Sequence, residues 1–137
     1  MPSSGRILRK MATVINTQGL HTGDQFAAHG PMDRLDICAV AYIVAEDRPV
    51  PAVFFTDEVA SLDLIEASEP AMTVIRAISR AITNYLVPDT HGEPDVIEHV
   101  SNWVRTRPIG EKNPPSTAEV IGCILRAAER ATQTPAA

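Results

Sequence analysis

The chain predicts an all-α fold, a single compact bundle of about five helices with an acidic excursion between the second and third. Three observations lead there. Apolar residues recur at helical spacing in several segments of helical length. The 45% hydrophobic content is carried by Ala, Val, Ile and Leu, with only 4% aromatic residues, and Ala and Leu are strong helix formers. Serine or aspartate stands where most of these segments begin. A length of 137 residues suits one core, so residues 1–137 are expected to form one helical domain.

The first helix is predicted over residues 5–18. Ile7, Leu8, Met11, Val14 and Ile15 share a face, Ser4 is a candidate N-cap and Gly19 a stop. Residues 20–32, broken by Gly23, Gly30 and Pro31, read as a loop that carries His21, Asp24 and His29. The run from Leu35 to Val44 is almost wholly apolar, so periodicity does not separate buried helix from buried strand; its length and alanines favour a second helix, with Asp33 before it as a cap.

The 46–69 excursion holds seven acids against one base, Arg48, a local charge of −6 within an overall −5. Pro49 and Pro51 open it in extended form. One short helix is expected over 58–67, and Phe54 and Phe55 are expected to pin the segment to the core.

The third helix has Ser68 as cap and Pro70 in its first turn, and its stripe from Met72 to Leu86 runs until Pro88. Asp95 can cap a fourth helix with Val96, Ile97, Val100, Trp103 and Val104 at helical spacing. A capping box, Ser116-Thr117-Ala118-Glu119, opens a fifth, whose buried face is expected from Val120, Ile121, Ile124, Leu125 and Ala128. Residues 132–137 should form a frayed tail.

No stretch approaches the roughly 18 apolar residues of a membrane span, and the start Met1-Pro2-Ser3-Ser4-Gly5-Arg6 lacks the apolar run of a secretory signal. A cytoplasmic protein is therefore expected. Cys38 and Cys123 match no zinc spacing and are expected as reduced thiols. The negative charge argues against nucleic acid as a partner.

Several motifs resemble those of an uncharacterised family of small actinobacterial proteins, a domain of unknown function. They are Ile7-Leu8-Arg9-Lys10-Met11-Ala12 leading into Thr17-Gln18-Gly19-Leu20-His21-Thr22-Gly23-Asp24, then Cys38-Ala39-Val40-Ala41, Trp103, and Ser116-Thr117-Ala118-Glu119-Val120-Ile121. The family motifs are of C-A-x-G-A and R-T-x-x-E-V type; here Leu20 stands at a tryptophan position, His21 at a cysteine and Ala41 at a glycine. The resemblance implies a helical fold and a bacterial cytosolic origin, and no activity.

Among candidate catalytic residues, His21, Asp24 and Cys38 come first, with His29 in the same loop. A thiol near a helix N-terminus gains thiolate character, and a nearby histidine can act as its base. The plainer reading makes Cys38 a small buried hydrophobe. Tyr42 and Trp103 are candidate ligand-binding residues, with Trp103 reading first as a core anchor. His91, Glu93, Asp95, Glu98 and His99 flank a proline turn; capping and solvated charge account for them, and no metal or other cofactor is expected. Arg6, Arg9 and Lys10, with Arg76 and Arg80, form either an anion patch or the wet faces of two helices.

Two functions are carried forward. The preferred one is a non-enzymatic accessory or regulatory protein that binds a protein partner through the acidic segment. The alternative is a small enzyme or ligand-binding protein of bacterial specialised metabolism, in which an apolar pocket presents His21, Asp24 or Tyr42 to a small molecule. A helix-turn-helix built from the last two helices is disfavoured by the long 106–114 interval. A membrane is not expected as a partner, and a homodimer is left open.

Overall fold

The computed structural model describes residues 3–31, 33–82, 95–105 and 115–133. Among these the chain is mostly helical: α1 (Ser4–Gln18), α2 (Ile37–Glu46), α3 (Val53–Thr56), α4 (Glu58–Ala67), α5 (Glu69–Ala81), α6 (Val96–Arg105) and α7 (Thr117–Gln133), with a small hairpin of β1 (Ala27–Ala28) and β2 (Arg34–Leu35). No helix among the described residues is long and apolar enough to cross a membrane.

Local chemistry sets the helix ends. Ser3, one residue earlier than expected, caps α1 by accepting the Arg6 amide at 3.2 Å. Gly19 ends it at φ 77° and ψ −173°, donating to the Ile15 carbonyl at 2.8 Å. Ser68 caps α5 through the Ala71 amide, Asp95 takes the Glu98 amide at 3.0 Å, and Ser116 with Glu119 forms the reciprocal box at the start of α7. The α7 helix runs through Gln133, so Thr132, expected in a frayed tail, is helical and accepts from Arg9 at 3.2 Å.

One hydrophobic cluster joins the helices. The most extensive helix pairing is α1 on α7, with α2 and α5 closing the core and α6 packing across both. Gly5 lets α1 approach α7 closely: a Cβ there would meet Thr132 Oγ1 at 3.1 Å and the Ala128 carbonyl at 3.6 Å. The buried face of α7 is rotated from the expected one. Val120, Cys123, Ile124, Ala127 and Ala128 are buried, Ile121 is half-buried and Leu125 is 45% exposed. Small side chains at 123 and 127 let α7 pack close to its neighbours, a criterion that a stripe of large residues does not capture.

Two expectations are corrected in the middle of the chain. The 20–32 loop contains β1, which pairs antiparallel with β2 in the register Ala27 to Leu35 and Ala28 to Arg34. The second helix accordingly starts at Ile37, and its cap is Asp36, not Asp33. The excursion holds two helices, α3 and α4, rather than one. Ser61 Oγ ties them by donating to the Val53 and Asp57 carbonyls at 2.9 and 2.7 Å. Phe54 and Ile65 are fully buried and Phe55 half-buried, so the segment is docked on the core with its acids exposed apart from the half-buried Glu46, which accepts the Ser68 hydroxyl at 2.8 Å. Phe54 packs edge-on against Tyr42 at 5.5 Å and beside Phe26 at 6.1 Å. The α5 helix stops at Ala81; the expected continuation to Leu86, the 89–94 turn, Pro108, Gly110 and residues 134–137 lie outside the described residues.

Candidate functional site

Among the described residues, no side-chain hydrogen bond joins His21, Asp24 and Cys38 to one another. His21 lies in the arm before β1, where its Nε2 meets the Asp24 backbone carbonyl at 2.7 Å; the Asp24 carboxylate is not the partner. A carbonyl only accepts, so Nε2 carries the proton. His29 stacks flat on Phe55 at 3.9 Å and lies 3.4 Å from Asp33. Cys38 is fully buried: its thiol donates to the Ile97 carbonyl at 3.9 Å and has Ser101 Oγ at 3.5 Å.

Burial, and then the negative Asp36, push the Cys38 thiol well above its ordinary pKa. The expected thiolate is thus the wrong protonation state at neutral pH. The helix-end argument fails because desolvation outweighs the dipole and because the capping group is itself an anion. Tyr42 is buried in the aromatic cluster, and Trp103 is half-buried against the core.

The charged groupings also separate. Asp95 is a cap, while His99 is buried with Nδ1 2.7 Å from Ser79 Oγ. His91 and Glu93 lie outside the described residues, among which no three His, Cys, Asp or Glu side chains converge as metal ligands. Arg9 engages Glu129 and Thr132, Arg76 engages Glu69, and Arg6 and Lys10 border a groove shared with Glu46 and Asp47. Arg80 lines a different groove, so the basic patch is divided.

A feature not expected from sequence is a small cleft of about 100 Å³ between α4 and α6, floored by Asp36 and the Gln25-Phe26 arm. The Asp36 Oδ1 accepts the Cys38 amide at 2.8 Å and the Ser101 hydroxyl at 3.1 Å; Oδ2 takes no hydrogen bond among the described residues. Burial pushes the Asp36 carboxyl up to about 6, opposed by the Cys38 amide, Ser101, Arg105 and His21. Around it stand Glu58 and Glu66 from α4, Asp95 at the cap of α6 and Glu98 in its first turn. Arg105, the base lining the cleft, lies 3.7 Å from Glu98. The Gln25 side-chain oxygen is buried without a hydrogen-bond partner among the described residues.

The cleft continues onto an acidic face. On α4, Glu58, Asp63 and Glu66 are exposed, and no ion pair neutralises them among the described residues. Beside them Val59 is 70% exposed and Leu64 is also exposed. At the β1–β2 hairpin, an open groove of about 610 Å³ is bordered by Thr17, His21, His29 and Arg34.

No protein-family profile matches the chain, and no curated protein or solved structure matches it either.

Proposed function

We propose that the chain is a non-enzymatic accessory or regulatory module that binds a protein partner through the acidic face of α4, and that the partner presents a basic, partly apolar segment. The observation that carries this reading is the combination on one helix of three carboxylates without an ion pair among the described residues, Glu58, Asp63 and Glu66, with the exposed side chains of Val59 and Leu64. Charge of one sign steers a basic partner, and burial of an apolar side chain adds about 1.5–3 kcal/mol once contact is made. Its cytoplasmic setting and its kinship with the actinobacterial family belong to the same proposal.

Fluorescence anisotropy with a labelled amphipathic Arg–Leu peptide tests the reading. Binding should weaken by at least about tenfold from 50 to 500 mM salt, and Val59→Ala or Asp63→Asn should weaken it further. Equal binding of a charge-matched Arg–Ser peptide would reduce the face to general charge attraction and overturn the proposal.

A second reading, a ligand-binding protein of specialised metabolism, is favoured by the hairpin groove. Its volume falls in the range of small-ligand sites, and His21 and Arg34 make it suited to an anionic group. Saturable shifts of the His21 ring protons on titration with inorganic phosphate would support it; shifts that grow linearly with concentration would sink it.

A further inference from the structure

We propose that α6 opens separately from the rest of the fold and that Asp36 is the proton-sensitive latch that docks it, α6 leaving the core more readily when the Asp36 carboxyl is ionised. This latch is independent of the partner reading above.

The make-up of its interface sets α6 apart. Its buried residues are Ile97, His99, Val100, Ser101 and Val104, of which two are polar, whereas α1 buries Ile7, Leu8, Met11, Ala12 and Ile15. An element with few buried apolar side chains opens locally at lower cost than the whole fold. The two polar residues engage different neighbours. His99 Nδ1 lies 2.7 Å from Ser79 Oγ of α5, and the Ser101 hydroxyl donates to Asp36 Oδ1 at 3.1 Å. Asp36 Oδ1 also accepts the Cys38 amide at 2.8 Å, and the Cys38 thiol donates to the Ile97 carbonyl at 3.9 Å. One polar cluster, with a carboxyl at its centre, thus joins the start of α2 to α6, and α6 covers the Cys38 thiol.

That carboxyl makes the joint respond to pH. Burial is the largest influence on Asp36 and holds it at about 6 against an ordinary 3.8, opposed by the Cys38 amide, Ser101, Arg105 and His21. Glu58 and Glu66 of α4, with Asp95 and Glu98 at the start of α6, line the same cleft and add no positive charge. Lifting α6 lets water reach the carboxyl, which then gives up its proton more easily. Docking is therefore strongest below 3.8, where both forms hold the proton, weakens as pH rises to about 6, and is level above that. The ceiling on the effect is about a hundredfold, set by 6 against 3.8. His99 is a second titratable group buried in this interface. A proton taken up there as pH falls would place charge beneath α6 and loosen it, the opposite sign.

Amide hydrogen exchange of the whole chain, followed by NMR from pH 4 to 8 and corrected for the intrinsic rate, tests the latch. Val100, Ser101 and Val104 should exchange faster than Leu8 and Ile124 at every pH, as local opening requires. Their protection should fall at least about fivefold from pH 4 to 7 and then level off. Asp36→Asn should abolish that fall. Ser101→Ala keeps the charge and removes a donor, so it should lower α6 protection more at pH 7 than at pH 4; it serves as the test if Asp36→Asn does not fold.

Exchange of the α6 amides in step with Leu8 and Ile124 would mean that α6 opens only with the whole fold and would overturn the proposal. Protection that is flat with pH in the parent, or a fall that survives Asp36→Asn, would remove Asp36 as the latch. Protection that drops as the solution is acidified would assign the titration to His99 instead.

Discussion

Replacement of Asp36 by asparagine should stabilise the protein at neutral pH. In the folded chain the carboxyl is pushed up to about 6 from an ordinary 3.8. At about 1.4 kcal/mol per pH unit, holding it ionised costs the fold about 3 kcal/mol. Asparagine removes that charge yet keeps an oxygen for the Cys38 amide and the Ser101 hydroxyl, and it caps helices as well as aspartate does. The sign follows from proton binding. Between about pH 4 and 6 the native state holds the Asp36 proton and the unfolded chain releases it, so this group's contribution is complete below 3.8 and is lost as pH rises through 6. The variant should therefore match the parent near pH 4 and exceed it by up to about 3 kcal/mol at pH 7.5, or about 10 °C in Tm for a chain of this size. Urea denaturation of both proteins from pH 4 to 8 measures the difference directly. A gap that stays flat with pH, or a variant less stable than the parent at pH 7.5, would refute the assignment of a partly buried, charge-burdened Asp36.

Further outcomes follow from the same geometry. Cys38 should resist iodoacetamide in the native protein at pH 8 and react fully in urea, as mass spectrometry would show; rapid native labelling would contradict its burial. Phe54→Ala should cost about 3–5 kcal/mol in chemical denaturation, since the ring is fully buried between Phe26 and Tyr42. Gly19→Ala should lower stability by about 1–3 kcal/mol in a thermal melt, because φ 77° with ψ −173° is a region that essentially only glycine occupies.

What was legible in the sequence is what nearest neighbours decide. The Ser116–Glu119 box, the Ser68 and Asp95 caps and the Gly19 stop depend on residues three or four positions apart, and each acts as its spacing predicts. The run from Leu35 to Val44 lacks that local contrast, so Asp33 reads as the cap; β2 takes Arg34 and Leu35 into a hairpin and the cap falls to Asp36. Strands of two residues have no period to detect, and α3 hides behind prolines that signal a break. Cys38 drew attention as a nucleophile, but its environment is made by Ile97 and Ser101, about sixty positions away. The cleft is harder still: its walls come from the hairpin arm, the start of α2, α4 and α6, and Gln25 carries no motif. The exposed acids of α4 were visible as a charge imbalance, while the two apolar side chains among them became meaningful only once Ser61 and Ile65 were seen to point inward.

The pairing of α1 with α7 has a consequence for biosynthesis. These helices lie at opposite ends of the described chain, yet they share its largest interface. At roughly 5–20 residues per second, a ribosome needs on the order of 5–20 s to reach Thr117 after finishing Gln18. Throughout that interval Ile7, Leu8, Met11 and Ile15 have no α7 surface to cover them. The nascent polypeptide is thus most exposed to chaperones and proteases early, and an abortive product ending before α7 should be cleared rather than accumulate.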